Sequence, residues 1–130
     1  MGAKENAAAV RKGYEAFQKG DLAAFDDLLS DGCVWHVPGR SQLAGDKKGR
    51  KATVEYYGKL AELSAGTITV DVHDIFANDE HVVGLHHTSA QRGGKSYETT
   101  EVIVFHVSDG RVTEAWEHPF NLYGLDEVFA

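Results

Sequence analysis

The residues of this chain that could do chemistry are histidines and carboxylates set among apolar neighbours. His36 lies in Cys33-Val34-Trp35-His36-Val37 and, on a strand, points opposite to Trp35 and Val37. An imidazole with an ordinary pKa near 6.5 exchanges protons at neutral pH, where a free carboxylate is a weaker base. Glu117 and His118 are neighbours on an expected strand, so only one of them enters any given site. Glu101 shares a face with Ile103 and Phe105: turned inward it would have a raised pKa and could donate a hydrogen bond, turned outward it is a surface charge. Seven histidines raise the question of a metal. However, His86 and His87 are adjacent, and no His-x-His, His-x₃-His or cysteine pair occurs, so no metal site is expected. No G-x-G-x-x-G or P-loop occurs, and no cofactor is expected. Tyr14, Phe17, Trp35, Tyr56, Tyr57, Phe105 and Trp116 are either core or the walls of a pocket for a flat hydrophobic molecule. Thr88, Ser89, Thr99 and Thr100 are ordinary strand formers that could add polar groups to it.

Those side chains must be positioned by elements that the patterning makes visible. Ala7, Val10, Tyr14 and Phe17 recur at helical spacing between Lys4 and Lys19, and Gly20-Asp21 ends that helix and caps another over Leu22 to Leu29. Cys33 to Val37 reads as a short strand stopped by Pro38-Gly39. A polar loop then runs to Gly49, expected as a mobile lid over a pocket mouth, and a third helix spans Lys51 to Leu63. Beyond Gly66 the period changes from 3.6 to 2. Strands are expected from Thr67, over His81 to Gln91, over Lys95 to Val107 and over Arg111 to His118. Gly93-Gly94 and Asp109-Gly110 between such runs signal two-residue hairpins, whose type I′ turns need positive φ at both central residues. Val102 to Val107 is almost continuously apolar, which requires cover on both faces: helices on one, a pocket interior or second subunit on the other. Leu122, Tyr123, Leu125, Val128 and Phe129 make the last ten residues a packed tail.

The chain has 130 residues, enough for one domain with its own core. Thirteen Lys and Arg against twenty Asp and Glu give a net charge of −7, which phosphate backbones and anionic lipid repel. Neither a nucleic-acid nor a membrane partner is expected. The single cysteine, Cys33, reads as a buried small hydrophobe, and with no signal peptide visible the expectation is a soluble cytoplasmic protein.

Three stretches, YEAFQKGDLAAFDDLLSDGCVWHVPG, LAGDKKGRKATVEYYGKL and VIVFHVSDGRVTEAWE, carry a resemblance across most of the chain. It is to the nuclear transport factor 2-like superfamily, in its ketosteroid isomerase and SnoaL-like polyketide cyclase branches. The resemblance implies an α+β cone, a curved antiparallel sheet packed by three N-terminal helices around an apolar pocket, as one domain over residues 1–130. It places His36 at the isomerases' general base and Glu117 at the cyclases' proton-transfer acid, and matches Tyr57 to a pocket tyrosine. The isomerases' oxyanion tyrosine falls at Gly13, with Tyr14 about 100° further round the helix. Their protonated acid falls at Glu101 or Ile103. The Asp–Arg–Asp set of limonene epoxide hydrolase relatives has no source here.

The reading is a homodimer whose pocket takes a small hydrophobic molecule. The expected chemistry is cofactor-independent isomerase or cyclase chemistry on a carbonyl-bearing polycyclic or terpenoid-like substrate. His36, Glu117 and Tyr57 are the expected catalytic residues; Tyr14, Phe17, Trp35, Glu101, Ile103 and Phe105 are the expected substrate contacts. The alternatives are a non-catalytic carrier of such ligands or a dimeric interaction module.

Overall fold

The computed structural model describes residues 2–130. Helices α1 (Ala3–Gln18), α2 (Leu22–Asp26) and α3 (Arg50–Leu63) cover one face of a curved six-stranded sheet. Its strands are β1 (Leu29–Val37), β2 (Gly45–Lys48), β3 (Thr69–Ala77), β4 (His81–Arg92), β5 (Lys95–Ser108) and β6 (Arg111–Pro119), and a fourth helix, α4 (Leu122–Val128), ends the chain. Across the sheet the order is β2-β1-β6-β5-β4-β3, antiparallel throughout except where β1 runs parallel to β6. The architecture is the expected α+β one, with the last four strands a plain meander.

The local reasons are the ones the sequence offers. Asp21 accepts the Ala24 amide as a helix cap. Gly93, Gly94, Asp109 and Gly110 all have positive φ, so both hairpins make turns that fit the right-handed twist of their strands. β4 and β5 consequently pair over their full length, from His81 opposite His106 to Arg92 opposite Lys95. Register shifts at Val72/Asp74 and His106/Val107 are bulges that bend the sheet around the helices.

The α2–β1 junction and the 39–49 loop differ from the expectation: α2 ends at Asp26 rather than Leu29, and β1 already starts at Leu29 rather than Cys33. The 39–49 loop contains β2, which pairs with β1 from Val34 opposite Lys48 to Val37 opposite Gly45. Gly-Asp-Lys-Lys has no apolar alternation because it is an edge strand, where charges discourage further pairing. Nor is the loop a lid. The Arg40 and Ser41 amides donate to Asp126, the Gln42 amide donates to the Phe129 carbonyl, and Leu43 is buried. The tail is a helix capped by Asn121, and Phe129 beyond it is fully buried, edge-on to Tyr97.

The inner face of the sheet is the core. On the outer face the register sets one row across all six strands: Phe76, Val83, Val104, Trp116, His36 and Asp46. Phe76 is 53% exposed, and Val102, Val104 and Trp116 are half-buried, so the second face of the apolar β5 run lacks its expected cover within one chain.

Phe129→Ala should cost about 3–5 kcal/mol in urea unfolding, because it empties a fully buried site that ties α4 and the 39–44 segment to the sheet. A loss under 1 kcal/mol would mean that the tail is not part of the cooperative core.

Candidate active site

Between the helices and the inner face lies a narrow cleft of about 80 Å³ that opens to solvent. The mouth is framed by Phe17 at the end of α1 and by Ile68 and Val70 around the start of β3; the Gln18 side chain donates to the Val70 carbonyl across the rim. The walls are aliphatic and aromatic. Trp35, Phe25, Tyr57 and Phe105 meet edge to face at centroid distances of 5.1–6.0 Å. Among the described residues no lysine or arginine lines the cleft.

Against those walls runs a band of polar groups on the inner face. At one end Glu117 of β6 is buried, and three neutral donors reach it from two other elements. Trp35 of β1 donates its indole N–H to Oε2 at 2.5 Å, Tyr57 of α3 donates to the same oxygen at 2.8 Å, and Tyr56 donates to Oε1 at 3.1 Å. Burial, and next the charge of Glu101, push the Glu117 carboxyl up to about 8 against the pull of those donors. Burial beside this carboxylate holds the Tyr56 and Tyr57 phenols well above their ordinary range, so they remain donors.

Further along, β5 places Glu101 on the same face, two residues from Ile103, which stands opposite Glu117. Burial pushes Glu101 up to about 7. Its Oε1 lies 2.8 Å from His86 Nε2, and His86 Nδ1 lies 2.8 Å from the Tyr14 hydroxyl of α1. Burial pulls His86 down to about 4, so the ring is neutral at pH 7. Gly84, one inward position back along β4, makes room for this: a Cβ there would overlap the Tyr14 hydroxyl. Two residues beyond His86, Thr88 is buried, and its Oγ1 is the one buried side-chain polar atom without a partner among the described residues.

Eight of the nine expected site residues therefore line one cleft: Tyr14, Phe17, Trp35, Tyr57, Glu101, Ile103, Phe105 and Glu117. His36 is the exception and a correction. Strand parity puts it on the outer face, stacked on Trp116 at 5.7 Å, with its nitrogens 2.7 Å from Asp46 and 2.6 Å from Glu114. Those hydrogen bonds, Glu114 first, raise its pKa. It cannot reach the cleft through the sheet. Glu117, not His118, faces inward, and His118 is exposed. Tyr57 spends its hydroxyl on Glu117, so its contact to a ligand is through the ring. His86 was not singled out as a site residue from sequence. Its inward set (Val82, Gly84, His86, Thr88, Ala90) is no more apolar than its outward set (Val83, Leu85, His87, Ser89), which leaves parity silent.

The model of the SnoaL-like domain matches residues 10–115. An uncharacterized protein of Mycobacterium tuberculosis is 34% identical over 109 residues, 83% of each chain. The structure of Bal32a, from a soil-derived mobile gene cassette, superposes with a TM-score of 0.95 at 38% identity over 98% of both chains. IdmH from Streptomyces antibioticus, a candidate polyketide cyclase, has a TM-score of 0.76 at 21% identity over 92% of this chain and 95% of that one, a likeness of fold.

The two raised carboxyls make stability depend on pH. The folded protein holds protons that the unfolded chain releases above about 4.3, so their contribution, full at low pH, is lost as pH rises through about 7 for Glu101 and 8 for Glu117. His86, depressed to about 4, acts oppositely: its contribution is full above about 6.5 and is lost as pH falls through the folded value. Between pH 6.5 and 8.5 the two carboxyls act together with His36, whose raised pKa makes the folded chain hold a proton that the unfolded chain releases above about 6.5. Unfolding free energy from urea titrations should fall by about 1.4 kcal/mol per pH unit for each carboxyl still protonated. Glu117→Gln should remove the larger part of the carboxyls' share of that slope, because Glu101 gives up its proton first; an unchanged slope would mean Glu117 is ionised throughout.

Proposed function

The chain belongs to the SnoaL-like domain family, and from that premise we propose that it catalyses cofactor-independent proton transfer on a small, neutral, carbonyl-bearing polycyclic or terpenoid-like molecule, as an isomerase or cyclase does. One observation carries this reading: a carboxyl buried at the wall of an apolar cleft, with no lysine or arginine lining that cleft and only neutral donors to hold its charge. Such a group is a stronger base than a solvated glutamate and titrates near neutral pH, where proton abstraction and return are both accessible. Trp35, Tyr56 and Tyr57 act as positioning residues that fix the carboxylate's orientation. Phe17, Ile103 and Phe105 supply flat apolar walls for the substrate skeleton. Two glutamates in a cleft whose described lining holds no lysine or arginine disfavour carboxylates and phosphate esters as ligands, Lys47 being set behind the Tyr56 ring. The fold of a candidate polyketide cyclase, IdmH, supports the same class of chemistry. The rival reading, a carrier for such ligands, differs in one measurable respect: it needs no base.

The test uses a panel of neutral cyclic ketones and phenols with two readouts. A ligand at a hundred times its Kd should raise stability by about 2.7 kcal/mol in both the wild type and Glu117→Gln. In D₂O the wild type should wash deuterium into the position next to the ketone, and Glu117→Gln should do so about 10²–10⁴-fold more slowly. Ligand stabilisation with no wash-in by either protein would overturn the catalytic reading in favour of a carrier.

We further propose that the apolar outer row is buried in a homodimer. The row of exposed Phe76 and half-buried Val83, Val104 and Trp116 is a partly open apolar patch of the kind that subunit contacts cover. Light scattering should return twice the 14.2 kDa chain mass, and Val104→Asp should return one chain mass. A monomeric wild type at tens of micromolar would reject the dimer.

A further inference from the structure

We propose that Tyr14, His86 and Glu101 form a proton relay ending at the Tyr14 hydroxyl, which delivers a proton to a ligand oxygen in the cleft, with Thr88 offering the ligand a second polar contact. The inference rests on the acid–base reading above and adds the acid that faces its base. Three observations converge. The chain of hydrogen bonds is unbroken and uses both nitrogens of one imidazole, at 2.8 Å on each side. Gly84 is the one residue whose missing side chain allows Tyr14 to make its link. Thr88, on the same face of β4, carries a buried hydroxyl with nothing to bond, although its cross-strand neighbour Thr99 spends its own hydroxyl on the Thr100 carbonyl and the Asn121 amide. A buried unpaired hydroxyl is costly in the free protein and is satisfied if a ligand oxygen sits there.

A neutral imidazole has one donor and one acceptor, so the chain exists in two directions. In the first, protonated Glu101 donates to Nε2, Nδ1–H donates to the Tyr14 oxygen, and the Tyr14 O–H is free to point into the cleft. In the second, Tyr14 donates to Nδ1 and Nε2–H donates to the Glu101 carboxylate. Delivering a proton converts the first into the second. Tyr14 O–H breaks as the ligand O–H forms, Nδ1–H passes to the Tyr14 oxygen, and the Glu101 proton passes to Nε2. The turnover starts from the form of the cleft in which Glu117 is ionised and Glu101 holds the proton; when Glu117 then takes a proton from the ligand carbon, the negative charge moves from Glu117 to Glu101 and the cleft's total charge is unchanged. The groups that face His86 are compatible with a neutral ring. Tyr14 comes from α1, Tyr56 and Tyr57 line the cleft from α3, Glu101 and Glu117 come from β5 and β6, β3 offers Val70 and Val72, and the neighbouring His87 points to the outer face.

The full-length protein, labelled with ¹⁵N in histidine and ¹³C in glutamate side chains, allows a test without knowledge of the substrate. Two-bond proton–nitrogen correlations should show His86 neutral from pH 5 to 9, with its proton on Nδ1 at the acid end. The proton should move to Nε2 with the same midpoint as the Glu101 carboxyl carbon, and Glu101→Gln should abolish the change. Nε2–H at every pH, or an imidazolium within this range, would overturn the relay. Thr88→Val keeps the shape and should raise stability by removing the unpaired hydroxyl, while weakening 4-nitrophenol binding, read by absorbance, about tenfold; unchanged binding would overturn the Thr88 contact. A tautomer change without deuterium wash-in would retain the relay and reject catalysis, and wash-in without the change would do the reverse.

Discussion

A carboxyl buried with no cation in its pocket must have its charge held by neutral donors, and most of this fold can be understood as the means of bringing those donors to Glu117. Desolvating a carboxylate costs several kcal/mol, and each charge-assisted hydrogen bond returns about 1.5–3 kcal/mol. Two or three donors are therefore needed, and here there are three. The indole arrives because β1 runs parallel to β6, with Trp35 opposite Ala115, two residues from Glu117. The two phenols arrive because α3 packs on β1 and presents consecutive tyrosines that straddle the carboxyl, one to each oxygen. Loss of any of these contacts would loosen the helix, the strand pairing and the cleft wall together.

The same logic explains why the polar groups form a band. An isolated polar atom in an apolar wall is expensive, whereas atoms that satisfy one another cost little. Tyr14, His86 and Glu101 satisfy one another in sequence, and Glu117 is satisfied by its three donors. The exception is Thr88.

The fold was largely legible because its signals are local. Hairpins follow from Gly93-Gly94 and Asp109-Gly110, the cap from Asp21, and the helices from apolar spacing. β2 was not legible, because an edge strand of Gly-Asp-Lys-Lys pairs by backbone alone and leaves no hydrophobic trace. The site was legible in composition more than in orientation. Period 2 says that neighbours oppose each other; it does not say which set is inside. For β1 the set Cys33, Trp35 and Val37 outweighs Val34 and His36, and the heavier set took the core, which sent His36 outward. The same comparison places Glu101 inward with Tyr97, Ile103, Phe105 and Val107, against an outward set of Glu98, Thr100, Val102, Val104 and His106. Resemblance to a family's base position pointed the other way for His36, and the local burial preference prevailed.

Charge in the cleft also limits what chemistry it can support. An enolate formed beside two glutamates meets no lysine or arginine in the cleft lining, and the phenols around it are held against ionisation by burial. In a medium of low dielectric, adding an oxyanion to a carboxylate already present is strongly unfavourable. Negative charge therefore has to leave the ligand oxygen as it arrives, by protonation, while the carbon proton leaves for a carboxylate. A cleft of this composition favours concerted movement of two protons over accumulation of charge. It also favours substrates whose oxygen and acidic carbon are spaced to reach from Tyr14 on one side to Glu117 on the other.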